Sequence, residues 1–172
     1  MKEREKAVSL HGNPFTLLGE EVETGEKAPA FKVLDNDLQE VDQEILHGRV
    51  SAIVSVPSLD TPVCDREVRR FNEEAAKLAN SVQVLTISMD LPFAQKRWCG
   101  AAGIEQVKTL SDHRDFNFGK NWGLAIKELR LLARSVYIVD KEGQVVYREI
   151  VSELGDEPNY EEALSVLKKL SQ

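Results

Sequence analysis

Two thiols and one arginine carry the chemistry this sequence offers. The cysteines are Cys64 and Cys99. Cys64 closes the segment Pro57-Ser58-Leu59-Asp60-Thr61-Pro62-Val63-Cys64. Thr61 suits a helix N-cap, and Pro62 then falls at the first helical position, where its missing N–H is no loss. Cys64 is thereby expected at the third helical position. Free backbone N–H groups and the positive end of the helix dipole lie there, and both favour a thiolate, the nucleophilic form. A plainer description fits as well. Cys64, Val68, Phe71, Ala75 and Leu78 recur at spacings of 4, 3, 4 and 3. Cys64 therefore lies on an apolar stripe and also suits an inert core thiol.

Arg134 directly precedes a strand read over Ser135 to Asp140. If that strand runs antiparallel to Val50–Val56, its start shares a sheet edge with Cys64. A guanidinium there would stabilise a thiolate and developing charge on a leaving oxygen. Otherwise Arg134 is a solvated strand-end arginine. Cys99 lies 35 residues beyond Cys64, too far for a Cys-x-x-Cys dithiol exchanger. A structural disulfide closing such a loop would contribute roughly 3–4 kcal/mol by chain entropy, but a cytoplasmic protein does not normally keep one. Two readings stand for Cys99: a bond formed transiently during turnover, or helix filler beside Trp98. His113 is either a base or a solvated loop residue. His11, His47 and His113 show no metal-ligand spacing. Phe93, Trp98 and Trp122 read as core or interface. Asp65, Arg66, Glu67, Arg69 and Arg70 are assigned to the exposed face of the helix.

The elements that must position these residues follow from pattern. Val50–Val56 is a β-branched apolar run ended by Pro57 and reads as a buried strand. The Cys64 helix of about five turns follows, then a strand over Val82–Ser88, giving a βαβ unit. A shorter helix is expected from Pro92 to Ala102, with Ala94, Trp98 and Ala101 as its buried side. Lys108–Asn121 fits no pattern. Hairpins are expected around His11-Gly12-Asn13-Pro14, around Asp35-Asn36-Asp37, and at Lys141-Glu142-Gly143 between Ser135–Asp140 and Gln144–Val151. A last helix starts near Pro158, with Tyr160, Ala163, Leu167 and Leu170 on one face. The fold class is α/β: a mixed central sheet flanked by helices, matching a thioredoxin-like core with an N-terminal β-hairpin extension.

Composition bounds the function. The chain has 172 residues, 42% hydrophobic and 30% charged, which suits a single domain over 1–172. With 22 Lys and Arg against 29 Asp and Glu the net charge is −7, so nucleic acid is a poor partner. No apolar run approaches the roughly 18 residues of a membrane span, and no signal peptide is evident. The cytoplasm is the expected location.

These residues resemble a known family. Pro57-x-x-x-Thr61-x-x-Cys64 looks like the active-site signature of the peroxiredoxins. Ser58–Asp65, Arg69-Arg70-Phe71-Asn72-Glu73, Trp98-Cys99-Gly100-Ala101 and Leu131-Leu132-Ala133-Arg134 resemble the bacterial thiol peroxidases, which are atypical two-cysteine peroxiredoxins. The similarity spans nearly the whole chain and is looser over Trp122–Arg130, at the rim of the substrate pocket. The resemblance implies roles. Cys64 would be the peroxidatic cysteine and Cys99 the resolving cysteine. Thr61 would hydrogen-bond the peroxide, Pro57 would shield the thiolate, and Arg134 would hold thiolate and substrate. It further implies hydroperoxide as substrate, a thioredoxin-type dithiol as reductant, a homodimer, and no metal or organic cofactor. A non-catalytic redox sensor or holdase is the alternative, and a disulfide exchanger a weaker third.

Overall fold

The Val50–Val56 run forms strand β5 (Val50–Ser55), and every residue in it is buried, as in a strand covered on both faces. The structure, a computed structural model, describes residues 1–78 and 81–172. Helix α1 (Pro62–Lys77) follows β5 and leads to β6 (Val82–Ser88). These strands pair in parallel from Val50↔Val82 to Ser55↔Ile87, completing the expected βαβ unit. The chain continues through α2 (Pro92–Ala102) to β7 (Val107–Ser111), parallel to β6. After α3 (Asn117–Asn121) come the short strands β8 (Ala125–Ile126) and β9 (Leu131–Leu132). Then come β10 (Ser135–Val139), β11 (Val145–Ile150) and α4 (Tyr160–Leu170).

Four strands precede this unit: β1 (Glu3–Leu10), β2 (Asn13–Leu18), β3 (Lys32–Leu34) and β4 (Glu40–Asp42). The central sheet is mixed, ordered β11-β10-β5-β6-β7-β3-β4. β10 lies antiparallel to β5, with Ser135 opposite Ser55. That register decides where Arg134 falls.

Alternation along the strands separates two cores. Ala52, Val54, Val84 and Val136 face α1 and α4, meeting Val68, Phe71, Ala163 and Leu167. Ile53, Leu85, Ile87 and Tyr137 face the other way, toward Phe118, Trp122 and the N-terminal hairpin residues Val8 and Leu17. The hairpin is present as expected, and it is larger than a hairpin. β2 pairs with β8 and β8 with β9, giving a second sheet, β1-β2-β8-β9.

Four expectations need correction. In α2 the buried residues are Pro92 and Gln95, while Ala101 is exposed and Ala94 and Trp98 are half-buried. Gln95 is accepted inside because its amide donates to Ser88 Oγ and the Leu110 carbonyl, each at 2.9 Å, so no polar group there lacks a partner on the N–H side. The unplaced Lys108–Asn121 stretch holds β7 and α3. Its buried Thr109, Ser111 and Asp112 hide the apolar alternation. α4 begins after Asn159, whose side chain caps it by accepting from Glu162 N at 3.1 Å, and Pro158 stands outside the cap. Helix α1 spans 16 residues, somewhat under five turns.

Candidate active site

The site forms where β5 hands over to α1. Thr61 is extended (φ −91°, ψ 146°) and its Oγ1 accepts the Cys64 N–H at 3.3 Å. Pro62 occupies the first turn as its fixed φ allows. Cys64 follows at the third position and is fully buried, at 0% exposure. Pro57 is also buried.

The loop between Pro57 and Thr61 is pinned from β6. The Asp90 carboxylate accepts from Leu59 N, Ser58 Oγ and Ser88 Oγ, each at 2.8 Å. Thr61 Oγ1 donates to the Ser58 carbonyl at 3.0 Å. The first helical turn is therefore anchored to the end of the neighbouring strand.

Arg134 arrives from the other side. Ser55 Oγ donates to the Ala133 carbonyl at 2.7 Å, which fixes the chain just before β10. The antiparallel register then brings the guanidinium to Cys64. Arg134 Nη1 donates to Cys64 Sγ at 3.2 Å and to Glu67 Oε2 at 2.8 Å. Nε and Nη2 both donate to the Leu154 carbonyl, at 3.2 and 2.8 Å. With 2% exposure, Arg134 is no solvated strand-end residue.

Glu67 corrects the sequence reading. It is not on the exposed face of α1; it is buried at 0% exposure and paired to Arg134. Residue 67 follows Cys64 by three, so it shares the inward stripe of α1. A charge on that stripe is the signal that a buried partner waits across the core. Burial pushes its carboxyl up to about 7, against the opposing pull of Arg134. Its Oε1 has no hydrogen-bond partner. Asp90 was also not singled out, and nothing in its local sequence distinguishes it from a turn residue. Arg66, Arg69 and Arg70 are exposed as expected.

Cys99 stands apart from Cys64, and both thiols are free. Cys99 is half-buried beside an open groove that Asn36, Asp37 and Thr109 also line. Its Sγ is 3.4 Å from Thr109 Oγ1, which donates to Asn36 Oδ1 at 3.0 Å. Among the described residues Cys64 has Arg134 and no histidine as side-chain partner, and no three His, Cys, Asp or Glu side chains cluster for a metal. Trp122, Leu124, Ala125 and Ile126 pack in the core cluster on the other side of the sheet from the one that holds Cys64.

Comparisons with known proteins place the chain in a family. The redoxin family profile matches residues 23–164. The thiol peroxidase of Halalkalibacterium halodurans is 56% identical over 162 residues, 94% of this chain and 97% of the relative. The chain belongs to the thiol peroxidases, within the redoxin family. The thiol peroxidase of Bacillus subtilis is likewise 56% identical, over 95% of this chain and 97% of the relative. A crystal structure of a peroxiredoxin-like protein from Aquifex aeolicus superposes with TM-score 0.89 at 44% identity, covering 96% of this chain and 97% of that one. As a thiol peroxidase with a thioredoxin-like fold, the protein is an oxidoreductase. Among its described residues no helix is long and apolar enough to cross a membrane.

Proposed function

We propose that this thiol peroxidase reduces hydrogen peroxide and organic hydroperoxides with Cys64 as the peroxidatic cysteine. The observation that carries the reading is the 3.2 Å approach of Arg134 Nη1 to Cys64 Sγ, at the first turn of a capped helix. A cation and the positive end of the helix dipole together favour the thiolate. Thr61 Oγ1 donates to Ser58 and accepts from Cys64 N, which leaves one lone pair for a hydroperoxide O–H. Four guanidinium N–H groups of Arg134 are engaged by Cys64, Glu67 and Leu154, which leaves one on Nη2 for a substrate oxygen. Pro57 covers the site with a residue that has no N–H to offer water.

The chemistry balances without metal or organic cofactor. The Cys64 thiolate attacks the terminal oxygen of the hydroperoxide and the O–O bond breaks. Cys64 is oxidised to sulfenic acid, and the leaving alkoxide or hydroxide takes a proton to become alcohol or water. The Cys99 thiol then attacks the Cys64 sulfur. A disulfide forms within one chain and the sulfenic oxygen leaves as water with the Cys99 proton. A thioredoxin-type dithiol reduces the disulfide. The enzyme works as one domain over residues 1–172, as a homodimer, in the cytoplasm.

The disulfide step needs local opening. The partner of Cys64 lies at the start of β10 and that of Cys99 lies in β7, three places away in the sheet. Two thiols held on separate helices rarely bring their Cα atoms within the roughly 7 Å that a disulfide needs. The first turn of α1 and the Cys99 helix must therefore loosen.

Peroxide turnover coupled to a thioredoxin system tests the reading. Cys64→Ser abolishes turnover, and Cys99→Ser loses recycling but keeps one round of oxidation. A protein that is oxidised without turnover would favour a non-catalytic redox sensor or holdase, and full turnover by Cys64→Ser would contradict Cys64 as the peroxidatic cysteine.

A further inference from the structure

Helices α1 and α2 are tied together beside both cysteines. Trp98 Nε1, from the residue before Cys99, donates to Oδ1 of Asp65, the residue after Cys64, at 3.0 Å. Among the described residues this is the side-chain to side-chain hydrogen bond that joins the two helices. Arg69 reinforces it. Its Nε donates to Asp65 Oδ2 at 2.9 Å, its guanidinium lies 5.8 Å from the Trp98 ring centroid, and its Nη1 donates to the Ala102 carbonyl of α2 at 3.4 Å. Toward the sheet α2 is held by Gln95, which donates to Ser88 Oγ and the Leu110 carbonyl, and by the contact of Cys99 with Thr109.

The tie exists only while both helices are intact. Disulfide formation requires both to loosen, so every interaction made in the closed arrangement and lost in the open one slows that step. Asp65 and Trp98 hydrogen-bond neither reacting sulfur, yet each is bonded in sequence to the residue that carries one. Loosening either turn breaks their hydrogen bond.

We propose that Asp65 and Trp98 are a positioning pair that sets the rate of the disulfide step. By holding α2 against α1 they determine how long Cys64 sulfenic acid persists. The consequence is chemical. A sulfenic acid that persists meets a second hydroperoxide, whose O–O bond breaks to give Cys64 sulfinic acid and an alcohol or water. The tie thus sets the peroxide dose at which the enzyme is lost. The proposal rests on Cys64 and Cys99 being the peroxidatic and resolving pair.

Trp98→Phe keeps the ring and removes the N–H. The full chain is mixed rapidly with one equivalent of hydrogen peroxide, quenched in acid, alkylated and weighed by mass spectrometry. Expected is an unchanged rate of first oxidation of Cys64 and a disulfide step roughly three- to tenfold faster, the size of one lost hydrogen bond. The peroxide dose giving half sulfinic acid rises by a similar factor, and this protection vanishes when Cys99→Ser is added, which a merely structural role would not produce. Asp65→Ala acts in the same direction, and the double variant is no faster than the quicker single one. Should Trp98→Phe fail to fold, Asp65→Ala decides alone. A disulfide step at the original rate or slower, in a folded variant, overturns the proposal. If the unaltered chain forms no Cys64–Cys99 disulfide at all, the assignment of Cys99 falls, and the proposal with it.

Discussion

Glu67 Oε2 lies 2.8 Å from Arg134 Nη1, the same nitrogen that reaches the Cys64 sulfur. One cation thus faces two groups able to carry negative charge, and all three are buried. Burial pushes the Glu67 carboxyl up to about 7. While it holds its proton, the charge of Arg134 is left to the sulfur.

The raised carboxyl gives stability a definite pH dependence. Native Glu67 keeps its proton to about 7, while the unfolded chain releases it near 4.5. Between those values the native state binds more protons, so stability falls as pH rises and levels off above 7. Asp112, which burial pushes up to about 6, adds a slope of the same sign at lower pH. Glu67→Gln removes only the Glu67 share. Urea unfolding at pH 5 and pH 8 should show the variant gaining relative to the original protein as pH rises, by up to a few kcal/mol. A variant that loses ground relative to the original protein between pH 5 and pH 8 contradicts this sign.

Arg134→Lys keeps a charge but loses the planar fork that serves Cys64, Glu67 and Leu154 together. Hydroperoxide consumption should fall on the order of 100-fold or more, the usual effect of removing a charge-stabilising donor. Circular dichroism of the variant checks that the sheet is intact.

Thr61 has two separable duties. Thr61→Ser keeps both the cap and the hydroxyl and should be nearly as active. Thr61→Val keeps the shape and loses both. Thermal unfolding should report a loss of about 1 kcal/mol from the cap, and peroxide turnover should fall far more than that loss explains.

Asp90 should matter through the loop it holds. Asp90→Ala strands the Leu59 N–H and the Ser58 hydroxyl, each lost bond costing about 1–3 kcal/mol when the group stays buried. Hydrogen exchange at residues 58–61 is the direct measure, and protection there should drop relative to β5.

The legible parts of the fold were those whose cause is local. The β-branched apolar run at Val50–Val56, the Thr61-Pro62 helix start and the turn at Lys141-Glu142-Gly143 each act within a few residues, and each forms as read. The antiparallel placement that brings Arg134 to Cys64 followed as a condition, and the Ser135–Ser55 register meets it. What escaped depends on partners distant in sequence. Glu67 looked like another charge on a charged helix face until its place three residues after Cys64 is set beside a buried arginine 67 residues away. Gln95 displaced Ala101 from the buried side of α2, where its amide N–H groups donate to Ser88 and Leu110. β8 and β9 pair over two residues each, too few for any periodicity to register.

The central claim is that Cys64 takes the peroxide oxygen and passes the oxidation to Cys99 of its own chain. Mass spectrometry of the reduced protein after one equivalent of hydrogen peroxide tests it most directly. The account predicts a loss of two hydrogens and a peptide pair crosslinked from Cys64 to Cys99 within one chain. Two alkylatable thiols and an unchanged mass, or a crosslink only between chains, would contradict it.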